Sequence, residues 1–206
     1  MEKNSLYNKV AGCLLGGAVA DARGYHLETD HTWCFSAVTQ MTLFTLEGMV
    51  YGYWRANEKG ISADVEYYVY EAYKTWLNTQ GIETDSLWKP VSELFRCPQM
   101  HHRRDPGQTC MQALQSKTMG SIKQPFNQSK GCAAVYRAAA LGFMTCWGNP
   151  ILTSARTAAL THGHPMAWIS AGFYAGLIHQ LINKENADLK KETEAILLAI
   201  ENLFAL

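Results

Sequence analysis

The amino-acid sequence predicts an all-α fold, and three observations support this prediction. Apolar residues recur at helical spacing wherever the pattern is readable. No stretch alternates apolar and polar residues with the Val, Ile and Thr content of a strand. Apolar residues make up 48% of the 206 residues and charged ones 17%, a composition suited to a substantial core. We therefore expect one compact multi-helix domain over residues 1–206, with long loops forming a cleft.

Five helices are recognisable from stripes of apolar residues at three- or four-residue spacing. The stripes begin at or near Leu6, Leu43, Val65, Pro165 and Leu189. Ser62 is the expected N-cap of the third helix, and Pro165 suits the first turn of the fourth. Gly12, Gly16 and Gly17 lie in the first helix, where glycine costs about 0.5–1 kcal/mol relative to alanine. We expect close packing against a neighbouring helix to offset that cost.

Three long segments between these helices lack clear periodicity and are predicted to be loops. They span residues 21–38, 79–107 and 120–130. Long connections in a compact domain are usually binding loops. Any ligand site is therefore expected where these segments meet.

Charge and cysteine content narrow the classes of protein to consider. The 18 Lys and Arg residues balance the 18 Asp and Glu residues, so the basic surplus typical of proteins that bind nucleic acid or anionic membranes is missing. No apolar run approaches the roughly 20 residues of a membrane-spanning helix, and no signal peptide is recognisable. The six cysteines lie far apart, which favours reduced, mostly buried thiols. We expect a cytoplasmic protein that binds neither nucleic acid nor membranes.

The segment from Asn127 to Arg137 is the clearest candidate for an anion site. Asn, Ser and Gly residues precede an apolar helical run there, so free backbone N–H groups at a helix N-terminus would face an anion. Ser129 or Lys130 would add a donor. Arg137 lies about a turn and a half into the predicted helix, where its guanidinium would brace the loop or the ligand. Capping of the helix alone is the alternative, because Ser and Gly begin many helices.

A second candidate is the sequence Thr-His-Gly-His-Pro at residues 161–165. Two histidines around a glycine suggest a zinc site, but no third and fourth ligands cluster with them in the sequence. A turn into a helix is the favoured interpretation, with one histidine, His162, facing a site.

Five motifs, taken together in this order, resemble those of the ADP-ribosylglycohydrolase family, which includes the dinitrogenase reductase-activating glycohydrolases. The matching segments are Asp21 to Glu28, Ser36 to Leu43, Pro106 to Thr109, Asn127 to Arg137 and Thr161 to Pro165. The resemblance implies an all-α fold. It also implies a ligand site built from Asn127, Ser129, Gly131, Arg137 and His162, and it places Glu28, with Asp21 nearby, at the position proposed for the family's catalytic glutamate.

The sequence departs from the family pattern at the metal site. The resemblance implies two magnesium ions held by adjacent aspartates, the threonine after them and a later Asp-x-Asp motif. Here Ala37 and Val38 stand at the aspartate positions, and only Thr39 remains. The later motif is missing, because Asp188 is the only aspartate after Pro165. Alkyl side chains cannot coordinate magnesium, so we expect no metal cofactor and a domain that lacks the C-terminal metal-binding portion.

The loss of both metal positions predicts a pseudoenzyme, because the metal pair orients the ribose and stabilises charge in the reaction. We expect such a protein to act by binding. Its partner would be an ADP-ribosyltransferase toxin that it neutralises, as immunity proteins do, or an ADP-ribosylated protein. Two alternatives remain open: a sensor of ADP-ribose, and a residual metal-independent hydrolase that uses Glu28 and Asp21. In the loop, Ala133 replaces a family glycine and adds a methyl group beside the expected phosphate site.

Overall fold

The computed structural model describes residues 6–29, 33–116, 118–144 and 146–205, and within them it contains helices and no strand. The nine α-helices of these residues are α1 (Leu6–Thr29), α2 (Ala37–Lys59), α3 (Val65–Thr79), α4 (Glu93–Arg96), α5 (Gln108–Gln115), α6 (Ala133–Tyr136), α7 (Pro150–Ala159), α8 (Pro165–Asn183) and α9 (Leu189–Phe204). Two 3-10 helices span Pro98–Met100 and Arg137–Gly142. The prediction of an all-α fold is confirmed.

Helix α1 lies on the outside of the domain and has no buried residue. It continues to Thr29, so the predicted loop over residues 21–38 is wrong in its first half. A Cβ at Gly12, Gly16 or Gly17 would meet no atom within 4 Å, and the expected close packing of these glycines is therefore also wrong. Near its start, the ammonium of Lys9 donates hydrogen bonds to the main-chain oxygens at the end of α8. Contacts of this kind hold α1 while leaving most of its surface open.

The core lies between α2 and α3, where two helices approach closely. A Cβ at Gly48 would lie 2.9 Å from the Cα of Val69, so only glycine permits this crossing. Trp76 is fully buried beside it, and its indole N–H donates to the side-chain oxygen of Gln40 at 3.0 Å. Helix α3 is capped by Asp64 and not by Ser62 as predicted, because the Asp64 carboxylate accepts the hydrogen bond of a first-turn N–H.

Helices α7, α8 and α9 form the other half of the core. Gly172 lets α8 approach α7, since a Cβ there would lie 2.8 Å from the carbonyl oxygen of Ile151. Helix α8 begins at Pro165 as predicted, with the His164 side chain accepting a hydrogen bond from the Met166 N–H at 3.0 Å. None of the helices in the described residues is long and apolar enough to cross a membrane.

All six cysteines are free, as predicted. Only Cys110 is buried, however, and Cys132 and Cys146 are exposed, so the prediction that most thiols are buried is wrong. Cys132 and Cys146 are exposed because both lie in loops between helices.

Candidate functional site

A cleft of about 760 Å³ separates α1 from the body of the domain. Its volume is within the usual range for ligand sites. Asp21 and Glu28 line it from α1, Thr39 lines it from the start of α2, and Tyr136 lines it from α6. The walls are thus mainly helical, whereas the sequence predicted a cleft formed by loops.

Asp21 is fully engaged with the start of α2. One carboxylate oxygen accepts hydrogen bonds from the Ser36 N–H (2.8 Å), the Thr39 N–H (3.2 Å) and the Thr39 hydroxyl (2.6 Å). The other accepts from the Ser36 hydroxyl at 2.5 Å. Hydrogen bonds from N–H groups at a helix start to a carboxylate are strong, because the helix dipole favours negative charge there. Asp21 therefore joins α1 to α2.

The residues around Asp21 do not fit a pair of magnesium ions. Ala37 is fully buried and Val38 lines the cleft, at the two positions where the resemblance implies the magnesium-binding aspartates. The Thr39 hydroxyl donates its proton to Asp21, and both oxygens of Asp21 already have donors. Nowhere in the described ranges do three His, Cys, Asp or Glu side chains gather closely enough to hold an ion. The predicted absence of a cofactor remains a prediction, but the donor set does not suit magnesium.

Two further carboxylates face the cleft. Glu28 lies in the last turns of α1 and is exposed there, so it is available to a ligand. Asp105, which the sequence analysis missed, lines the opposite side with a backbone φ of 48°. Aspartate tolerates this left-handed conformation better than most residues. Residues 79–107 were predicted to be a loop, but the sequence did not show which residue of that loop reaches the cleft.

The loop from Asn127 to Gly131 is closed on itself by side-chain hydrogen bonds. Asn127 accepts from the N–H of Ser129 at 2.9 Å and from the N–H of Gly163 at 3.2 Å, and it donates to the carbonyl oxygen of Thr161 at 2.8 Å. The Ser129 hydroxyl accepts from the Gly131 N–H at 3.2 Å. Two of the backbone donors expected to be free are therefore occupied.

The remaining donors of this loop follow directly along the chain. The N–H groups of Lys130, Cys132 and Ala133 have no partner among the described residues. The helix after them, α6, has only four residues and continues directly into the 3-10 helix Arg137–Gly142. Arg137 therefore lies within a helical run as predicted, but that run is not a single α-helix. An anion would be held here by individual amides rather than by a helix dipole.

Arg137 is buried and is linked to His162 through the side chain of Thr161. Its guanidinium donates to the Thr161 hydroxyl oxygen, and that hydroxyl lies 2.8 Å from His162 Nδ1. Arg137, Thr161 and His162 thus form one hydrogen-bonded chain. A Cβ at Gly131 would lie 2.9 Å from His162 Nε2, so the ring reaches the loop.

Among the described residues, no carboxylate pairs with the charge of Arg137. The guanidinium lies 4.8 Å from the centre of the Tyr73 ring and contacts the sulfur atoms of Cys110 and Met41. Burial and this neighbouring positive charge lower the pKa of His162 to about 3. His162 is therefore neutral at physiological pH. The Arg137 contacts suit bracing of the loop, and its role toward a ligand remains a prediction.

The fold and the site define an all-α protein with a cleft that three carboxylates line, those of Asp21, Glu28 and Asp105. Of the predicted site residues, Asp21 and Glu28 line this cleft. Cys132 lines it just beyond the loop, and the lining does not include the remaining predicted residues, which are Asn127, Ser129, Gly131, Arg137 and His162. The ADP-ribosylglycohydrolase family pattern matches residues 2–205 of the chain. The chain therefore belongs to the ADP-ribosylglycohydrolase family. Comparison with curated proteins and with solved structures gives no match.

Proposed function

We propose that this chain is a non-catalytic member of its family that recognises the ADP-ribosyl group of a modified protein without hydrolysing it. The observation that supports this most directly is the state of Asp21, whose two oxygens accept four hydrogen bonds from Ser36 and Thr39. A carboxylate with this many donors is a poor general base and a poor metal ligand. It stabilises the junction of α1 and α2 instead.

Binding is supported by the loop that reaches the cleft at Cys132. The loop keeps three amides without a partner in the described structure, at Lys130, Cys132 and Ala133, and backbone amides are suitable donors for a diphosphate. The imidazole of His162, whose pKa is lowered to about 3, lies at the loop with its Nε2 beside Gly131. The methyl group of Ala133 narrows the space beside these amides relative to the family glycine, so we expect modest affinity.

A protein partner is supported by an exposed group of aromatic residues on α2 and α3. Tyr53, Trp54 and Tyr67 are each more than two-fifths exposed, and exposed aromatics are frequent in protein interfaces. Neutralisation of an ADP-ribosyltransferase toxin would use the same kind of surface. We propose it as the second form of this binding role, and it predicts a stable complex that inhibits the toxin.

Calorimetry with ADP-ribose, in the presence and absence of magnesium, tests the proposal. We expect binding that is insensitive to magnesium. Ser129→Ala should weaken it by about tenfold through loss of the loop's internal hydrogen bond, whereas Ser116→Ala, outside the cleft, should not. Binding that magnesium strengthens would contradict the proposal.

A second measurement separates recognition from hydrolysis and from sensing. We expect no release of ADP-ribose from an ADP-ribosylated protein, with or without chelator. Release that disappears in Glu28→Gln would show a residual hydrolase. A sensor of the free nucleotide would bind ADP-ribose more tightly than the modified protein, which is the reverse of what we expect.

A further inference from the structure

A second cavity, of about 640 Å³, lies between the start of α3, the loop over residues 119–123 and α7. It shares no lining residue with the cleft. Its wall combines the apolar side chains of Ile122, Trp147 and Leu160 with charged groups. We propose that this cavity binds a small monoanion with an apolar body, of the arylcarboxylate class.

Arg156 is the residue that recognises the anion. Its Nε lies 2.6 Å from an oxygen of Glu66, a side chain that is largely buried. The two terminal nitrogens of Arg156 have no hydrogen-bond partner within the described residues, and the side chain is 56% exposed. This contact is an ion pair and not a hydrogen bond, because Glu66 Oε1 has no hydrogen-bond partner in the described residues. The N–H groups of the guanidinium therefore stay available to a second carboxylate, whose geometry they match.

Two more residues that carry N–H donors line the same cavity. The ammonium of Lys123 is exposed and makes no ion pair or hydrogen bond in the part of the chain that is described. The indole N–H of Trp147 is buried and likewise has no acceptor there. A buried donor without a partner is unfavourable, so a small rotation of the ring toward a ligand oxygen is favoured.

The acidic residues of the wall limit the charge that a ligand can carry. Asp64 caps α3, and its pKa is lowered mainly by a hydrogen bond with Glu66. Burial raises the pKa of Glu66 to about 7, so this side chain carries only part of a negative charge at neutral pH. With Arg156 and Lys123 opposite, the wall is weakly positive. That balance favours a monoanion over a phosphate dianion.

Titration of the ¹⁵N-labelled chain with phenylacetate tests the proposal through the indole N–H resonances. Trp147→Phe identifies the resonance of Trp147. We expect phenylacetate to shift this resonance downfield and saturably, because the N–H gains an acceptor. Phenylacetamide, which has the same shape without the charge, should bind at least about tenfold more weakly.

Variants show which groups hold the anion. Arg156→Lys keeps the charge and loses the fork, so it should weaken phenylacetate binding by about tenfold. Lys123→Gln should weaken it severalfold, whereas Arg55→Lys, on the exposed surface of α2, should leave it unchanged. No saturable shift, equal binding of phenylacetamide, or unchanged affinity in both cavity variants would overturn the proposal. Lys123→Gln decides the matter if Arg156→Lys fails to fold, because Lys123 has no structural contact to lose.

Discussion

Acidification should destabilise this protein through His162 in a way that can be isolated from all other groups. In the folded state, burial and the charge of Arg137 lower the pKa of His162 to about 3, whereas in the unfolded state it is near 6.5. Between these values the unfolded chain binds a proton that the folded chain does not. Stability is therefore complete above pH 6.5 and falls as the pH drops toward 3.

The magnitude follows from the width of that interval. Each pH unit inside it costs about 1.4 kcal/mol for one group, so the free energy of unfolding should fall by about 2 kcal/mol between pH 6.5 and 4.5 because of His162 alone. Urea unfolding, followed by tryptophan fluorescence, measures this free energy at each pH. His162→Gln removes the titrating group, so the free energy of unfolding of this variant should fall by about 2 kcal/mol less over the same pH range than that of the unaltered chain.

The matched control is His102→Gln, because His102 is exposed and has the same ring. It should show the pH dependence of the unaltered chain. Equal pH dependence in the unaltered chain and in His162→Gln would refute the reasoning. It would mean that His162 is charged in the fold or is not buried beside Arg137.

Three other results are expected. Asp21→Ala should lose four accepted hydrogen bonds and lower the free energy of unfolding by about 2–3 kcal/mol. The amides of α1 should then exchange hydrogen faster, and unchanged slow exchange would mean that other contacts hold α1. Gly16→Ala should raise the free energy of unfolding by about 0.5–1 kcal/mol, because a Cβ there would lie in open space on a helix. Gly172→Ala should lower it, because its Cβ would clash with Ile151. Differential scanning calorimetry of the two variants measures both changes. Ten millimolar magnesium should leave the melting temperature unchanged, because we expect no magnesium site. A site with a dissociation constant of about 0.1 mM would add about 2.7 kcal/mol to the free energy of unfolding, so a rise in melting temperature would reveal it.

The start of a helix was predicted correctly for α1 and for several helices that bury an apolar stripe. Helices α8 and α9 begin at Pro165 and Leu189 as the pattern indicated, because both pack against the core. The extension of α1 from Asp21 to Thr29 was not predictable in this way. That segment buries nothing, so no apolar periodicity marks it as a helix.

In the candidate site, features set by neighbouring residues were predicted, and features set by contacts between distant residues were not. The turn at His162 was predicted from the proline that follows it. The burial of Arg137 was not, because a charged side chain is expected at the surface unless a partner is known. The bonds of Asp21 to Ser36 and Thr39 join positions 15 and 18 residues apart, and sequence spacing does not show that their atoms meet.

The loose attachment of α1 also affects how the domain opens. A helix without a buried residue belongs to the low-stability end of a protein's cooperative units and can detach while the rest of the domain stays folded. Because α1 forms one wall of the cleft and carries Glu28, its detachment widens the entrance without unfolding the core. A ligand that contacts α1 and the body together would be thermodynamically linked to this local equilibrium, so that occupancy slows hydrogen exchange in α1 first.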